Sequence, residues 1–192
     1  METSASLLDR LAAHPSDADW RRLFDLYSPL LRVWLARAGV PSTDADDLAQ
    51  EVLLVVFREV SGFERRGVGA FRAWLRTILA NRVRDYFRAR QKRPTATGDS
   101  AFQEKLAELE APGSALSQLW DREHDQHVAR QLLKVVQVDF TPPTWRAFCR
   151  QVIDGAPAAQ VADELGLSLN AVLLAKSRVL RRMRRELRGF VG

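Results

Sequence analysis

Cysteine is almost absent from the chain. The single thiol, Cys149, permits no internal disulfide, and no CxxC pair or Cys/His cluster has the spacing that zinc requires, so a disulfide framework and a zinc finger are excluded. Long apolar runs are missing too. None approaches the ~18 residues of a membrane span, and the opening METSASLLDRLAAHPSDADW lacks a basic stretch followed by an apolar core, so neither export nor membrane insertion is expected and the expected location is cytoplasmic. Strict apolar–polar alternation, the mark of a half-buried strand, occurs nowhere, and no segment repeats. What is present, 46% hydrophobic and 28% charged residues among 192, suits one large or two small globular domains.

The charge is unevenly spread. The net +5 conceals two basic segments, Arg65 to Arg93 with ten basic residues against one acid and Lys176 to Arg188 with seven against one, carried by an otherwise acidic body. Arginine supplies 25 of the 29 positive charges, and its planar fork grips phosphate or guanine with two parallel bonds. Either patch alone is equally an ordinary solvated helix side; two separated patches point to a polyanion held at two places.

Helical periodicity runs through most of the chain, and we read the fold as all-α. Trp20, Leu23, Phe24, Tyr27, Leu31, Trp34 and Leu35 form one stripe, on a long or two-part helix that Pro29 kinks and Gly39 with Pro41 ends. Thr43-Asp44-Ala45-Asp46 resembles a capping box and opens the helix DADDLAQEVLLVVFREV. Ser61 to Ala70, with three glycines, reads as a loop in which Phe63 stands beside Arg65 and Arg66. An aromatic next to arginines offers stacking and phosphate charge together, which suits single-stranded nucleic acid. From Phe71 to about Arg90 a strong apolar stripe includes Trp74 and Phe87, both assigned to the core, and the other side is nearly all arginine. Residues 91–115 change composition abruptly and mark the domain boundary. Further helices follow over 116–138, 144–154, 158–165 and 168–187.

In the second half Ala162, Gly166 and Val172 have the spacing of a helix-turn-helix: a small residue where helices cross, a glycine for the positive φ of the turn, and a valine closing the core. An ordinary helical hairpin shares this pattern. Ser168 is the expected N-cap of the second helix, which places Asn170 and Leu173 near base edges and Lys176, Ser177 and Arg178 toward groove or phosphate. Arg181, Arg182, Arg184 and Arg185 prolong the positive side.

Three blocks, DADDLAQEVLLVVFREV, FRAWLRTILANRVRDYFRARQKR and VADELGLSLNAVLLAKSRVLRRMRREL, occur in an order and spacing that resemble the bacterial RNA polymerase sigma factors of the extracytoplasmic-function class. The likeness extends from about Leu23 to Leu187. It implies a region 2-like domain at 1–93, a linker at 94–115, a region 4-like helix-turn-helix domain at 116–192, and no catalysis by the chain itself. By this resemblance Asp44, Asp47, Leu48, Gln50 and Glu51 face the clamp helices of the polymerase's largest subunit, although the same acids also stabilise a helix N-terminus. The loop 61–70, with Arg76, Asn81, Arg84 and Arg88, is expected to capture and open the minus-ten promoter element, and the C-terminal helix to read the minus-thirty-five element. Asn81 equally suits a bond to neighbouring backbone. The family's usual Thr-Val-basic start of the recognition helix is replaced by Ala171-Val172-Leu173, so Leu173 either meets a thymine methyl or packs against a partner. Core RNA polymerase, promoter DNA and an anti-sigma factor are the implied partners.

Two competing readings are an autonomous helix-turn-helix regulator and a metal-dependent nuclease built on His124 and His127 with Asp121, Glu123 and Asp125. In so charged a segment we read the histidines as surface residues. No cofactor, metal or small-molecule substrate is expected. Cys149, one turn from Trp145 and Ile153, reads as a small buried apolar side chain without a redox role.

Overall fold

In the computed structural model, which describes residues 7–64, 67, 69–90 and 99–187, nine α-helices and one short 3-10 turn appear and no strand, in keeping with the all-α reading. The helices are α1 (Leu7–Ala13), α2 (Asp17–Arg37), α3 (Ser42–Glu59), α4 (Ala70–Arg90), α5 (Asp99–Glu110), α6 (Ala115–Gln137), α7 (Pro142–Val152), α8 (Ala158–Leu165) and α9 (Leu169–Leu187). They fall into two compact units, and the division lies inside α6, between Val128 and Ala129.

The first unit is built on α2, α3 and α4. Ser16 caps α2 by accepting from the Asp19 amide at 3.2 Å, and Asp19 returns the bond to the Ser16 amide at 3.3 Å, a capping box that the apolar stripe alone did not reveal. Pro29 sits within α2 without ending it; the Ser28 hydroxyl donates to the Phe24 carbonyl at 2.7 Å just before it. The expected capping box of α3 does not form. Pro41 holds the N-cap position with no side-chain bond, and Thr43, already inside the helix, donates its hydroxyl to Asp44 at 3.1 Å. Leu23, Tyr27, Leu31 and Leu35 of α2, Val52 and Val56 of α3, and Phe71, Leu75, Leu79 and Val83 of α4 are all buried. Phe87 and Trp74, assigned to the core from their phase, are only half-buried. Each meets another exposed-edge aromatic instead, Phe102 and Phe63 respectively, at 4.7 Å between ring centres in both cases.

The stretch read as a linker is not structureless, and the first unit does not stop at residue 93. Residues 99–110 form α5, whose Leu106 and Leu109 are buried, and the first half of α6 places Trp120, His124 and Val128 in the same interior with no exposed surface. The reason is hydrophobic. The polar, proline- and glycine-containing composition of 91–115 signals a boundary, but it hides a helix with two apolar anchors, and the largest fully buried side chain of the protein, Trp120, lies beyond it.

The second unit is the helix-turn-helix that the Ala162, Gly166 and Val172 spacing predicts. Gly166 takes φ +62°, and the Leu167 amide donates back to the Ala162 carbonyl at 2.9 Å. Ser168 caps α9 by accepting from the Ala171 amide at 3.1 Å. Ala147, Val161, Ala162, Val172 and Ala175 make one small core, and Val136, Phe148, Val179 and Met183 a second. Cys149 is half-buried beside the second core, and burial pushes its thiol upward, which suits an inert packing role.

Candidate nucleic-acid interface

Two surfaces carry the arginines, and their surroundings differ. On the first unit, Phe63 leaves the 3-10 turn at Val60–Gly62 and lies nearly parallel to the Trp74 ring, 22° between planes, with Phe71 edge-on at 5.8 Å. A cavity of about 710 Å³ opens beside this pair, lined by Arg58, Glu59, Ser61, Gly62, Glu64 and the two rings. A half-exposed aromatic pair with polar walls is a platform on which an unstacked base can lie. The expected companions Arg65 and Arg66 lie outside the described residues.

Along α4 the arginine side is occupied by acids from later in the chain. Arg72 donates to Asp125 at 2.9 Å and reaches Asp121 at 3.4 Å. Arg76, expected on the DNA-facing side, is 5% exposed and donates to the Asp121 carboxylate at 3.2 Å and the Ser117 carbonyl at 3.4 Å. Arg84 donates to Asn81 at 2.8 Å and to both carboxylate oxygens of Glu110. Asn81 and Arg88 remain exposed, the latter with 78% of its side chain in solvent and Asp85 at 3.6 Å. Of the four α4 residues singled out from sequence, two are therefore open, Arg84 is half-covered and Arg76 is enclosed.

The enclosure is made by the first half of α6, where the histidines are not the surface residues expected. His124 has no exposed surface: its Nε2 accepts from the Tyr27 hydroxyl at 3.0 Å and its Nδ1–H donates to Asp125 at 3.0 Å. Burial lowers its basicity below the ordinary 6.5, and the bond to Asp125 offsets this only in part. His127 donates to the Leu26 carbonyl at 2.5 Å, and the Trp120 indole donates to the Arg72 carbonyl at 3.0 Å. One helix face thus satisfies the core and neutralises α4 at once. No cluster of three potential metal ligands exists among the described residues.

On α3 the expected polymerase-facing residues divide. Asp47, Gln50 and Glu51 are exposed, Leu48 is 4% exposed and belongs to the core, and Asp44 is turned toward α4, where it accepts from the Tyr86 hydroxyl and pairs with Arg90 at 2.6 Å. The Tyr86 bond is the main reason its carboxyl stays below the usual aspartate range. Beside Gln50 runs an apolar groove of about 440 Å³ between α2 and α3, walled by Trp20, Phe24, Leu54 and Phe57, of which Leu54 and Phe57 are half in solvent. Sequence reasoning passed over these two. The available signal was that α3 is apolar on more sides than its buried stripe of Ala49, Val52, Leu53 and Val56 requires.

On the second unit the predicted side of α9 is open. Ser168, Asn170, Leu173, Lys176, Ser177, Arg178 and Arg181 are all exposed, whereas Arg182 is drawn down to Asp139 at 2.8 Å and Glu186 at 2.7 Å. Leu169 and Leu174 add to the apolar part of this surface.

Comparison with known proteins fixes the family. The family model for Sigma-70 region 2 matches residues 23–93. The RNA polymerase sigma factor CnrH of Cupriavidus metallidurans is 30% identical over 173 residues, which cover 85% of this chain and 86% of that protein. The chain belongs to the sigma-70 family, in its extracytoplasmic-function class. The ECF RNA polymerase sigma factor BldN of Streptomyces coelicolor is 28% identical over 182 residues, 94% of this chain and 64% of that longer protein.

As a sigma factor the chain directs promoter-specific transcription initiation, with core RNA polymerase and promoter DNA as its partners, and the chemistry of RNA synthesis is the polymerase's. A protein with this task needs exposed cations aimed at phosphate and a surface for the polymerase rather than a catalytic centre. No helix among the described residues is long and apolar enough to cross a membrane.

Proposed function

We propose that the sigma factor divides its work between its two units, with the first unit docking on polymerase and opening the minus-ten element and the second reading the minus-thirty-five element, in the cytoplasm and under the control of an anti-sigma factor. The observation that carries the reading is the two-sided character of α9. Val172, Ala175, Val179 and Met183 are buried, while Asn170, Leu173, Lys176, Ser177 and Arg178 lie exposed beyond a capped N-terminus, the arrangement a helix needs to enter a major groove. Ser168 and Arg181 extend that side, and Arg182 steadies the helix through Asp139.

On the first unit, Phe63 and Trp74 take a base displaced from the duplex, Asn81 and Arg88 hold the adjacent strand, and Arg84 joins them when its carboxylate partner is replaced by phosphate. Arg76 acts from beneath by fixing α4 to α6. Asp47, Gln50 and Glu51 meet the polymerase clamp, and the neighbouring Leu54 and Phe57 supply the apolar area that an acidic ridge alone lacks. The test is run-off transcription from genomic fragments with purified core polymerase. Addition of the chain is expected to produce discrete promoter-dependent transcripts, and reversing Arg84 and Arg88 to glutamate to abolish them. Failure to associate with core polymerase, or association without selective initiation, overturns the reading.

A further inference from the structure

The acids from later in the chain that pair with α4 come from two segments, α5 and the first half of α6, whose anchoring differs, and that difference assigns them different roles. The first half of α6 is fixed: Trp120, His124 and Val128 are wholly buried, and its N-terminus carries its own cap, the Ser117 amide donating to the Ser114 hydroxyl at 3.0 Å. That cap also touches α5, the Ser114 hydroxyl donating to the Glu108 carbonyl at 2.5 Å, but the Trp120 and His124 bonds that hold the helix go to Arg72 and Tyr27. By contrast α5 is a twelve-residue helix with four acids and one lysine, joined to α6 through a turn in which Gly113 takes φ +80°. Helices of this length are marginal by themselves in water, so α5 owes its order to what it lies upon.

What it lies upon is incompletely filled. Leu106 and Leu109 are buried and Phe102 meets Phe87 edge-on, but a groove of about 600 Å³ remains between α5 and the wall formed by Trp34, Leu79 and Val83. Trp34, which lines this groove, has its indole nitrogen buried without an acceptor. At the end of the helix Glu110 offers Arg84 the same two-oxygen acceptor that a phosphate would offer, with about a quarter of each side chain still in solvent. Exchange of one two-oxygen acceptor for another at this guanidinium costs little, whereas withdrawal of Asp121 from Arg76 strands a buried charge.

We propose that α5 is a displaceable acidic strap: in the free sigma factor it holds Arg84 and covers the flank of α4, and it leaves when DNA takes Arg84 from Glu110. The proposal rests on the reading of α4 as a DNA-binding helix. Its consequence is that the free chain binds nucleic acid less well than its own arginines allow, because each encounter must first dislodge a segment that imitates phosphate.

The experiment uses the full chain, a fluorescent mixed-sequence single-stranded 20-mer, and two charge-matched variants, Glu110→Gln and Glu108→Gln. Glu108 is exposed on the same helix, so its replacement removes the same charge while leaving the Arg84 contact in place. Glu110→Gln is expected to bind the oligonucleotide roughly two- to fivefold more tightly than Glu108→Gln, the scale of one partly exposed ion pair. Hydrogen exchange on the unmodified chain supplies the second measurement: saturation with the 20-mer is expected to speed exchange of the 99–110 amides at least about tenfold, as a released short helix melts, while 116–128 stay protected. Equal affinities of the two variants, or unchanged protection of 99–110 with DNA bound, overturn the strap and leave the DNA-binding reading intact. Absence of binding by every form overturns both.

Discussion

The two arginine-bearing helices resemble each other in sequence and differ in their company. Helix α4 carries six arginines, and three of them, Arg72, Arg76 and Arg84, are held by Asp121, Asp125 and Glu110, from 26 to 53 residues further along the chain. Helix α9 carries five arginines and a lysine, and Lys176, Arg178 and Arg181 stand open to solvent. A count of basic residues therefore measures how many guanidinium groups a segment has, not how many a ligand can reach. On α4 the same ion pairs that blunt the positive face also fix α6, so part of that charge serves folding; on α9, Arg182 apart, the charge stands open for binding.

The largest effect that separates the two regions is on stability. Trp120→Ala removes the biggest fully buried side chain, donor of the indole bond to the Arg72 carbonyl, and is expected to cost about 3–5 kcal/mol. Leu173→Ala, on the open side of α9, is expected to stay within about 0.5 kcal/mol. Urea melts of the full chain followed by far-ultraviolet circular dichroism measure both. Comparable small losses would mean that the first half of α6 is not part of the first unit's core, and the contrast between the helices would fail.

Acidification gives a smaller and more selective effect. His124 faces Tyr27, Asp125 and, more distantly, Arg72 and Asp121, and burial keeps it neutral below the ordinary 6.5. The unfolded chain takes up a proton near pH 6.5 and the folded chain does not, so the unfolded state holds more protons and stability falls as the pH drops through that value. Thermal melts at pH 7.5 and 5.5 are expected to show this loss, and His124→Gln, less stable at pH 7.5, is expected to lose less on acidification. An equal decline in the variant would remove His124 as the cause.

Much of this was legible in the sequence, and what was not has a common physical reason. The helix-turn-helix was readable because its determinants are local: Ala162, Gly166 and Val172 lie within eleven consecutive positions, and the turn, the cap and the small core all follow from them. The α4 stripe was readable for the same reason. Local periodicity does not record which distant segment will cover a face, and there the reading departed from the structure. His124 and His127 looked like surface residues in a charged run, because the partners that justify their burial, Tyr27 and the Leu26 carbonyl, lie about a hundred residues earlier. Arg76 looked like a free cation because Asp121 stands 45 positions away. The strand-free fold, the helix order and the α9 surface came from near-neighbour patterns; the closed side of α4 came from contacts that only the folded chain assembles.

The finest test of the contrast is salt dependence. If Arg178 is open to phosphate, its replacement by alanine should remove about 0.9 from the slope of log affinity against log salt for holoenzyme on a duplex promoter fragment, with little change in stability. Arg182→Ala should change that slope less, since Arg182 is already committed to Asp139 and Glu186, and should instead loosen the end of α9 by a few tenths of a kcal/mol to about 1 kcal/mol. On the first unit Arg76→Ala should leave the slope unchanged and destabilise the fold, because its guanidinium is enclosed by Asp121 and the Ser117 carbonyl. Three arginines, alike by residue type, should then separate by what already touches them. A slope change for Arg76 as large as that for Arg178 would show that α6 leaves α4 when DNA binds, and would move the line between structural and DNA-facing charge from α5 to the start of α6.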